Sequence, residues 1–198
     1  MGDLKSAPIW VAWRESADGR KLPVNPATGR AAKSDSPDTW GTRKAAQRRT
    51  QNARWRREKT GNFGVGVMLG NTSGVDGWRL CGVDLDGCTG RLKRYADAVV
   101  ERFASYTERS PGGGLHVLFL CREPDFERLR EAGLVTAKGG AEFSLGDHTE
   151  IALFLGGRYF TVTDDQTGDE STIRPVKRAD LEWLIRDHGP AFKRQAGK

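Results

Sequence analysis

The chain has 198 residues, a net charge of +6 and 37% hydrophobic residues, enough for one core-bearing domain. Its three cysteines, Cys81, Cys88 and Cys121, form no CxxC pair, which argues against a zinc site and a disulfide framework and points to a reduced, cytoplasmic compartment. The opening MGDLKSAPIW lacks the apolar stretch of a signal peptide, and no apolar run approaches the roughly 20 residues that span a bilayer, so no membrane partner is expected.

Residues 9–13 read as a strand and 21–24 as a second, with Asp18-Gly19 as a turn between them. NPATG is loop. Ser36-Pro37-Asp38 has the cap and first-turn proline of a helix start, and the segment after it reads as helical to about Glu58. Residues 63–69 and 78–86 are expected strands. Residues 91–103 form a helix with apolar positions at Leu92, Tyr95, Ala96, Val99 and Phe103. Residues 115–121 are an apolar run broken only by His116, the pattern of a strand buried on both faces. A short helix over 126–132 follows. Residues 150–155 and 158–163 read as two strands joined in a hairpin at Gly156-Gly157. A last helix covers 178–188. This order of hairpins with one strand-helix-strand unit predicts an α+β fold.

The positive charge is concentrated. Between Thr42 and Gly61, Arg43, Lys44, Arg48, Arg49, Arg54, Arg56, Arg57 and Lys59 are opposed only by Glu58, an excess larger than that of the whole chain. A patch of this kind suits a polyanion, because each phosphate it neutralises releases counterions. The alternative is a solvated basic helix face. Trp55 within it has two readings as well, a platform for a base or a buried anchor, and its amphipathic setting favours the anchor.

Three motifs carry chemistry. In Val83-Asp84-Leu85-Asp86, carboxylates two apart on a strand share a face, where they repel unless a hard cation separates them. The alternative is a turn that ends the strand. In Ser110-Pro111-Gly112-Gly113-Gly114-Leu115-His116, a glycine-rich loop exposes backbone N–H groups to an anion, and His116 needs a polar partner within its apolar strand. The alternative is a satisfied core histidine behind an ordinary hairpin. In the third, Glu150 opens an apolar strand and Arg158 follows the Gly-Gly pair, giving a further acidic ligand and a planar phosphate grip, or a cross-strand surface pair. A strict two-residue turn would set Arg158 on the face opposite Glu150, so one site for both requires a bulge or a longer loop.

In this order the motifs resemble the archaeo-eukaryotic primase superfamily, in particular its primase-polymerase branch in phages, plasmids and mobile elements. GVDLD resembles the family's strand ending in D-x-D, ERSPGGGLHV its E-x-SPSG-x-GxH pattern, and TEIALFLGGRYFTVT its later acidic residue before an arginine-containing strand. WVAW, KLPVNPATG and SPDTW resemble its opening region, so the likeness runs from about Trp10 to Thr163. Two positions depart from the pattern: Gly114 stands where the family has serine, and Ala152-Leu153-Phe154 lacks its mid-strand tyrosine.

The resemblance implies an RRM-like mixed sheet with an N-terminal α/β lobe, in a catalytic domain over 1–190 with lobes of about 1–70 and 71–190 and a flexible tail over 191–198. It implies a DNA primase and polymerase that transfers nucleotides from NTPs or dNTPs on a single-stranded DNA template. Asp84, Asp86 and Glu150 would hold two Mg²⁺ or Mn²⁺ ions. His116 and Arg158 would hold the triphosphate, with backbone contacts from Ser110, Gly112, Gly113 and Gly114. The basic segment would contact the template, and a helicase or helical accessory domain is an expected partner. The competing reading is a non-catalytic module that binds single-stranded nucleic acid.

Overall fold

The computed structural model describes residues 4–52, 55, 61–71 and 77–197. The alternating sequences fold into two antiparallel sheets. The first contains β1 (Trp10–Glu15), β2 (Lys21–Val24), β3 (Phe63–Met68) and β10 (Tyr159–Val162) in the order β10-β3-β1-β2. The second contains β5 (Trp78–Asp86), β6 (Thr107–Arg109), β7 (Leu115–Arg122), β8 (Gly140–Gly146) and β9 (Thr149–Phe154) in the order β6-β7-β5-β9-β8, with the short β4 (Gly70–Asn71) also pairing with β5. The fold is therefore α+β, as expected. The expected mixed sheet is not found among the described residues, where every strand-to-strand pairing is antiparallel.

Strand period fixes two cores. On β5, Cys81, Val83 and Leu85 point to one side, where they pack with Val117 and Phe119 of β7 and with helix α2 (Lys93–Phe103) through Ala96, Val99 and Phe103. Helix α3 (Glu123–Glu131) and the C-terminal helices α4 (Arg178–Trp183) and α5 (Gly189–Lys193), joined by one wider turn over Leu184–His188, cover the same side. The opposite face of the second sheet lies on the first: Leu80, Leu118, Leu120, Ala152 and Phe154 pack with Trp10, Val67 and Phe160. Residues 115–121 are thus a strand covered on both faces, as their unbroken apolar run required.

Two local expectations need correction. Ser36-Pro37 opens only a single turn over Pro37–Thr39, because Gly41 next exchanges two backbone hydrogen bonds with Trp10 and is held extended. Helix α1 (Arg43–Gln51) starts afresh from Thr42, whose Oγ1 accepts the N–H of Ala45 at 3.2 Å. The helix ends at Gln51, where Asn52 turns extended; of the predicted continuation to Glu58, only Asn52 and Trp55 lie among the described residues. The second correction concerns the last two strands. β9 and β10 form no hairpin: β9 pairs with β5 and β8, while β10 crosses to the other sheet and pairs with β3. The Gly156-Gly157 step carries the chain from one sheet to the other. The hairpin that does exist, β8–β9, turns at Asp147 and His148, both in the left-handed region at φ 47° and 57°.

Candidate active site

The two sheets part at the C-terminal end of β5, and the motif residues gather there. Asp86 lies opposite Glu150 of β9, and Asp84 lies opposite both His116 of β7 and Ala152 of β9. Residues directly opposite one another share a face. Asp84, Asp86, Glu150 and His116 therefore all point toward the first sheet, past the end of the apolar layer that joins the sheets. A cleft of about 900 Å³ opens at this point, lined by Asp84, Asp86, Ser110, Pro111, Gly112 and His116 on the side of the second sheet and by Arg20, Lys21, Lys33, Asp35 and Arg158 on the other. Gly113, Gly114 and Glu150 are not among its lining residues.

The crossing at Gly156-Gly157 resolves the facing problem at Arg158. Because β10 belongs to the opposing sheet, Arg158 approaches from across the cleft, and its positive charge acts on both Asp84 and Glu150. Burial pushes the Asp84 carboxyl above the ordinary aspartate range, and the charge of Asp86 adds to this; His116, Arg158 and Lys21 pull the other way. Burial also raises Glu150, with Asp84, Glu142 and Asp86 adding repulsion. The Cys88 thiol nearby is pushed up to about 11, by burial and then by Asp86 and Asp84. In all three groups burial is the larger cause and crowded negative charge adds to it. Among the described residues, no three His, Cys, Asp or Glu side chains are gathered closely enough to hold a metal ion as they stand.

His116 is buried, with 7% exposure, yet it forms part of the cleft wall. Its ring stacks on Phe160 at 4.5 Å between centroids, Nδ1 lies 3.1 Å from the Thr161 carbonyl, and Nε2 lies 3.8 Å from Oδ1 of Asp84. Phe160 reaches this position because position 82 is glycine: a Cβ there would stand 2.4 Å from the Phe160 ring. The glycine of GVDLD thereby lets β10 settle over β5 beside the carboxylates.

The 110–114 loop is the turn of the β6–β7 hairpin, closed by Ser110 N–H donating to the Gly114 carbonyl at 2.9 Å. Gly114 fits against the end of β5, where a Cβ would meet the Leu85 carbonyl at 2.5 Å and Oδ1 of Asp86 at 3.0 Å. A side chain at position 114 would therefore need the end of β5 or the loop to shift.

The basic segment divides. Arg43 donates to Asp164 at 2.6 Å and lies over the Trp10 ring, and Arg49 donates to the carbonyls of Pro26, at 2.9 Å, and Ala27. Lys44 and Arg48 are exposed on α1. Arg54, Arg56, Arg57 and Lys59 lie outside the described residues. Trp55 is the buried anchor of the pair of readings: it is 6% exposed, meets Phe63 edge-on at 4.9 Å and packs with Ala12 and Val24.

Sequence reasoning assigned no role to Lys21, Lys33 or Glu108, although Glu108 is the glutamate of ERSPGGGLHV. Lys21 of β2 and Lys33 of the loop after Ala31 bring positive charge to the cleft. Their signal was faint, since lysines beside a strand read as ordinary solvated residues. Glu108 is fully buried, and its signal was its place two residues before the Ser110 loop on a strand paired with that of His116.

No helix among the described residues is long and apolar enough to cross a membrane. The chain matches no protein-family model. It is similar to the DNA Primase-polymerase of Nitratiruptor phage NrS-1, with 30% identity over 172 residues that cover 84% of this chain and 20% of the relative. The chain spans about a fifth of that relative's length, and the likeness supports a relationship to primase-polymerases.

Proposed function

We propose that this chain is the catalytic module of a DNA primase-polymerase, which transfers nucleotides from NTPs or dNTPs to a 3′-hydroxyl on a single-stranded DNA template and releases pyrophosphate. The observation that carries this reading is the meeting of Asp84, Asp86 and His116 with Arg158 around one cleft, acidic on one wall and basic on the other. The similarity to a phage DNA primase-polymerase agrees with it.

Asp84, Asp86 and Glu150 would hold Mg²⁺ or Mn²⁺, two ions in all. Their oxygen-only donor set suits hard cations, and a cation bound there would offset the repulsion that Asp86 adds to burial at Asp84 and that Asp84 and Asp86 add to burial at Glu150. Bound there, the ions would neutralise phosphate charge and ease deprotonation of the attacking hydroxyl. The protein's own part is positioning and electrostatics. Arg158, Lys21 and Lys33 face the carboxylates and attract the triphosphate. His116 turns Nε2 toward the cleft. The Ser110–Gly114 turn presents the backbone on the other side.

Incubation with unprimed single-stranded DNA, labelled nucleotides and either metal tests the proposal: templated products are expected, and their absence sinks it. The second reading is a non-catalytic single-stranded nucleic-acid-binding module. It is favoured by the absence, among the described residues, of three ligands already gathered for a metal. DNA binding without synthesis in the same assay would support it.

A further inference from the structure

Glu108 is a fully buried carboxylate on β6, and four groups converge on it. The backbone N–H of Thr163 donates to Oε1 at 3.0 Å, that of Asp164 donates to Oε2 at 3.1 Å, and the Tyr106 hydroxyl donates to Oε2 at 3.0 Å. The fourth is His116, whose Nδ1 lies 3.7 Å from Oε1. A carboxylate oxygen and the Thr161 carbonyl are both acceptors, so the ring nitrogen facing them carries the hydrogen. Nε2 is then the edge turned to Asp84 and the cleft.

The two backbone donors belong to the segment that leaves β10. The same strand supplies Phe160, which stacks on His116, and Thr161, which accepts from it, and Arg158 immediately precedes it. One buried carboxylate therefore ties together the two elements that face the cleft from opposite sheets. A group needed only to close the β6–β7 hairpin would have no need to reach across to β10.

We propose that Glu108 is a positioning residue for the nucleotide: it holds the His116 ring with Nδ1–H inward and Nε2 toward the triphosphate, and it fixes β10 and Arg158 in register with that ring. This rests on the nucleotide-binding reading of the cleft. Glu108 touches no substrate and acts through His116 and β10.

The test has one arm that needs no activity. In the metal-free chain, ¹⁵N-histidine spectra recorded above the imidazole titration range report which ring nitrogen bears the proton, and His116→Asn identifies the signal. The parent should show the Nδ1–H tautomer, and Glu108→Gln should shift a substantial share to Nε2–H. In the second arm, Glu108→Gln should raise KM for the nucleoside triphosphate by about tenfold while kcat falls by less than about threefold. The rise should largely disappear in a His116→Asn background, as coupling through that ring requires. An Nε2–H tautomer in the parent overturns the proposal, as does an unchanged KM or a penalty of equal size with and without His116. Should Glu108→Gln fail to fold, Glu108→Asp retains the charge but withdraws it by one methylene, and an unchanged KM for that variant overturns the proposal equally. A parent chain that makes no product removes the primase-polymerase reading, while the tautomer spectra still decide whether Glu108 sets the ring.

Discussion

Asp86 and Glu150 stand directly opposite each other on neighbouring strands, with Asp84 two residues back on the same face. Burial raises both Asp84 and Glu150, with repulsion from Asp86 adding at Asp84 and from Asp84, Glu142 and Asp86 adding at Glu150. For an acid whose folded pKa lies above its unfolded value, the folded state holds more protons across that interval. The stability present below the unfolded value is then lost as pH rises through the folded one. The metal-free chain should accordingly melt at a higher temperature just below the ordinary carboxylate range than the remaining carboxylates alone would allow. Asp84→Asn should weaken that dependence, which melting curves across pH in parent and variant would reveal.

A cation that binds the folded state alone shifts the equilibrium by mass action. Mg²⁺ or Mn²⁺ at 100 times its dissociation constant should stabilise the chain by about 2.7 kcal/mol at neutral pH. Thermal melts of Asp84→Asn/Asp86→Asn should lose this response while keeping the parent's circular dichroism. The same variant should also lose nucleotide incorporation. An undiminished metal response in it would remove these two residues from the ligand set.

Gly114 meets the Leu85 carbonyl more closely than a side chain allows. Gly114→Ser, which restores the residue type of the resembling family, should cost about 1–3 kcal/mol through overpacking and should reduce incorporation by moving Asp86. Denaturant melts and a primer-extension assay measure the two effects. A variant as stable and active as the parent would show that the loop relaxes without cost.

The basic residues of α1 should separate by role. Lys44 and Arg48 are exposed, so Lys44→Gln/Arg48→Gln should weaken single-stranded DNA binding and lower the salt slope by roughly 1–2, since each lost phosphate contact contributes somewhat less than one unit. Arg49, bonded to the Pro26 and Ala27 carbonyls, should act on stability instead when changed to Ala. Binding isotherms over a salt series, set beside thermal melts, distinguish the two behaviours.

Trp55→Ala should destabilise the fold by about 3 kcal/mol, the usual cost of removing a buried aromatic side chain. At a temperature where the variant remains folded, its affinity for single-stranded DNA should match the parent's. Fluorescence anisotropy supplies that comparison. A loss of affinity without a loss of stability would restore Trp55 as a base platform.

The amino-acid pattern by itself determined what depends on neighbours along the chain. Period-two alternation set β5 and put Asp84 and Asp86 on one face, an unbroken apolar run marked β7 as covered on both sides, and an i, i+3, i+4 stripe marked α2. Only the tertiary structure decided what depends on strands far apart in sequence. Gly156-Gly157 reads as a hairpin locally, but the next strand pairs with β3, roughly ninety residues earlier, because that is where Phe160 and Val162 find a sheet edge and an apolar layer to cover. That choice brings Arg158 across the cleft from Asp84 and closes Glu108 over His116. Pairing partners are selected by the burial of whole faces, a property of the assembled sheets, and no short window of sequence contains it.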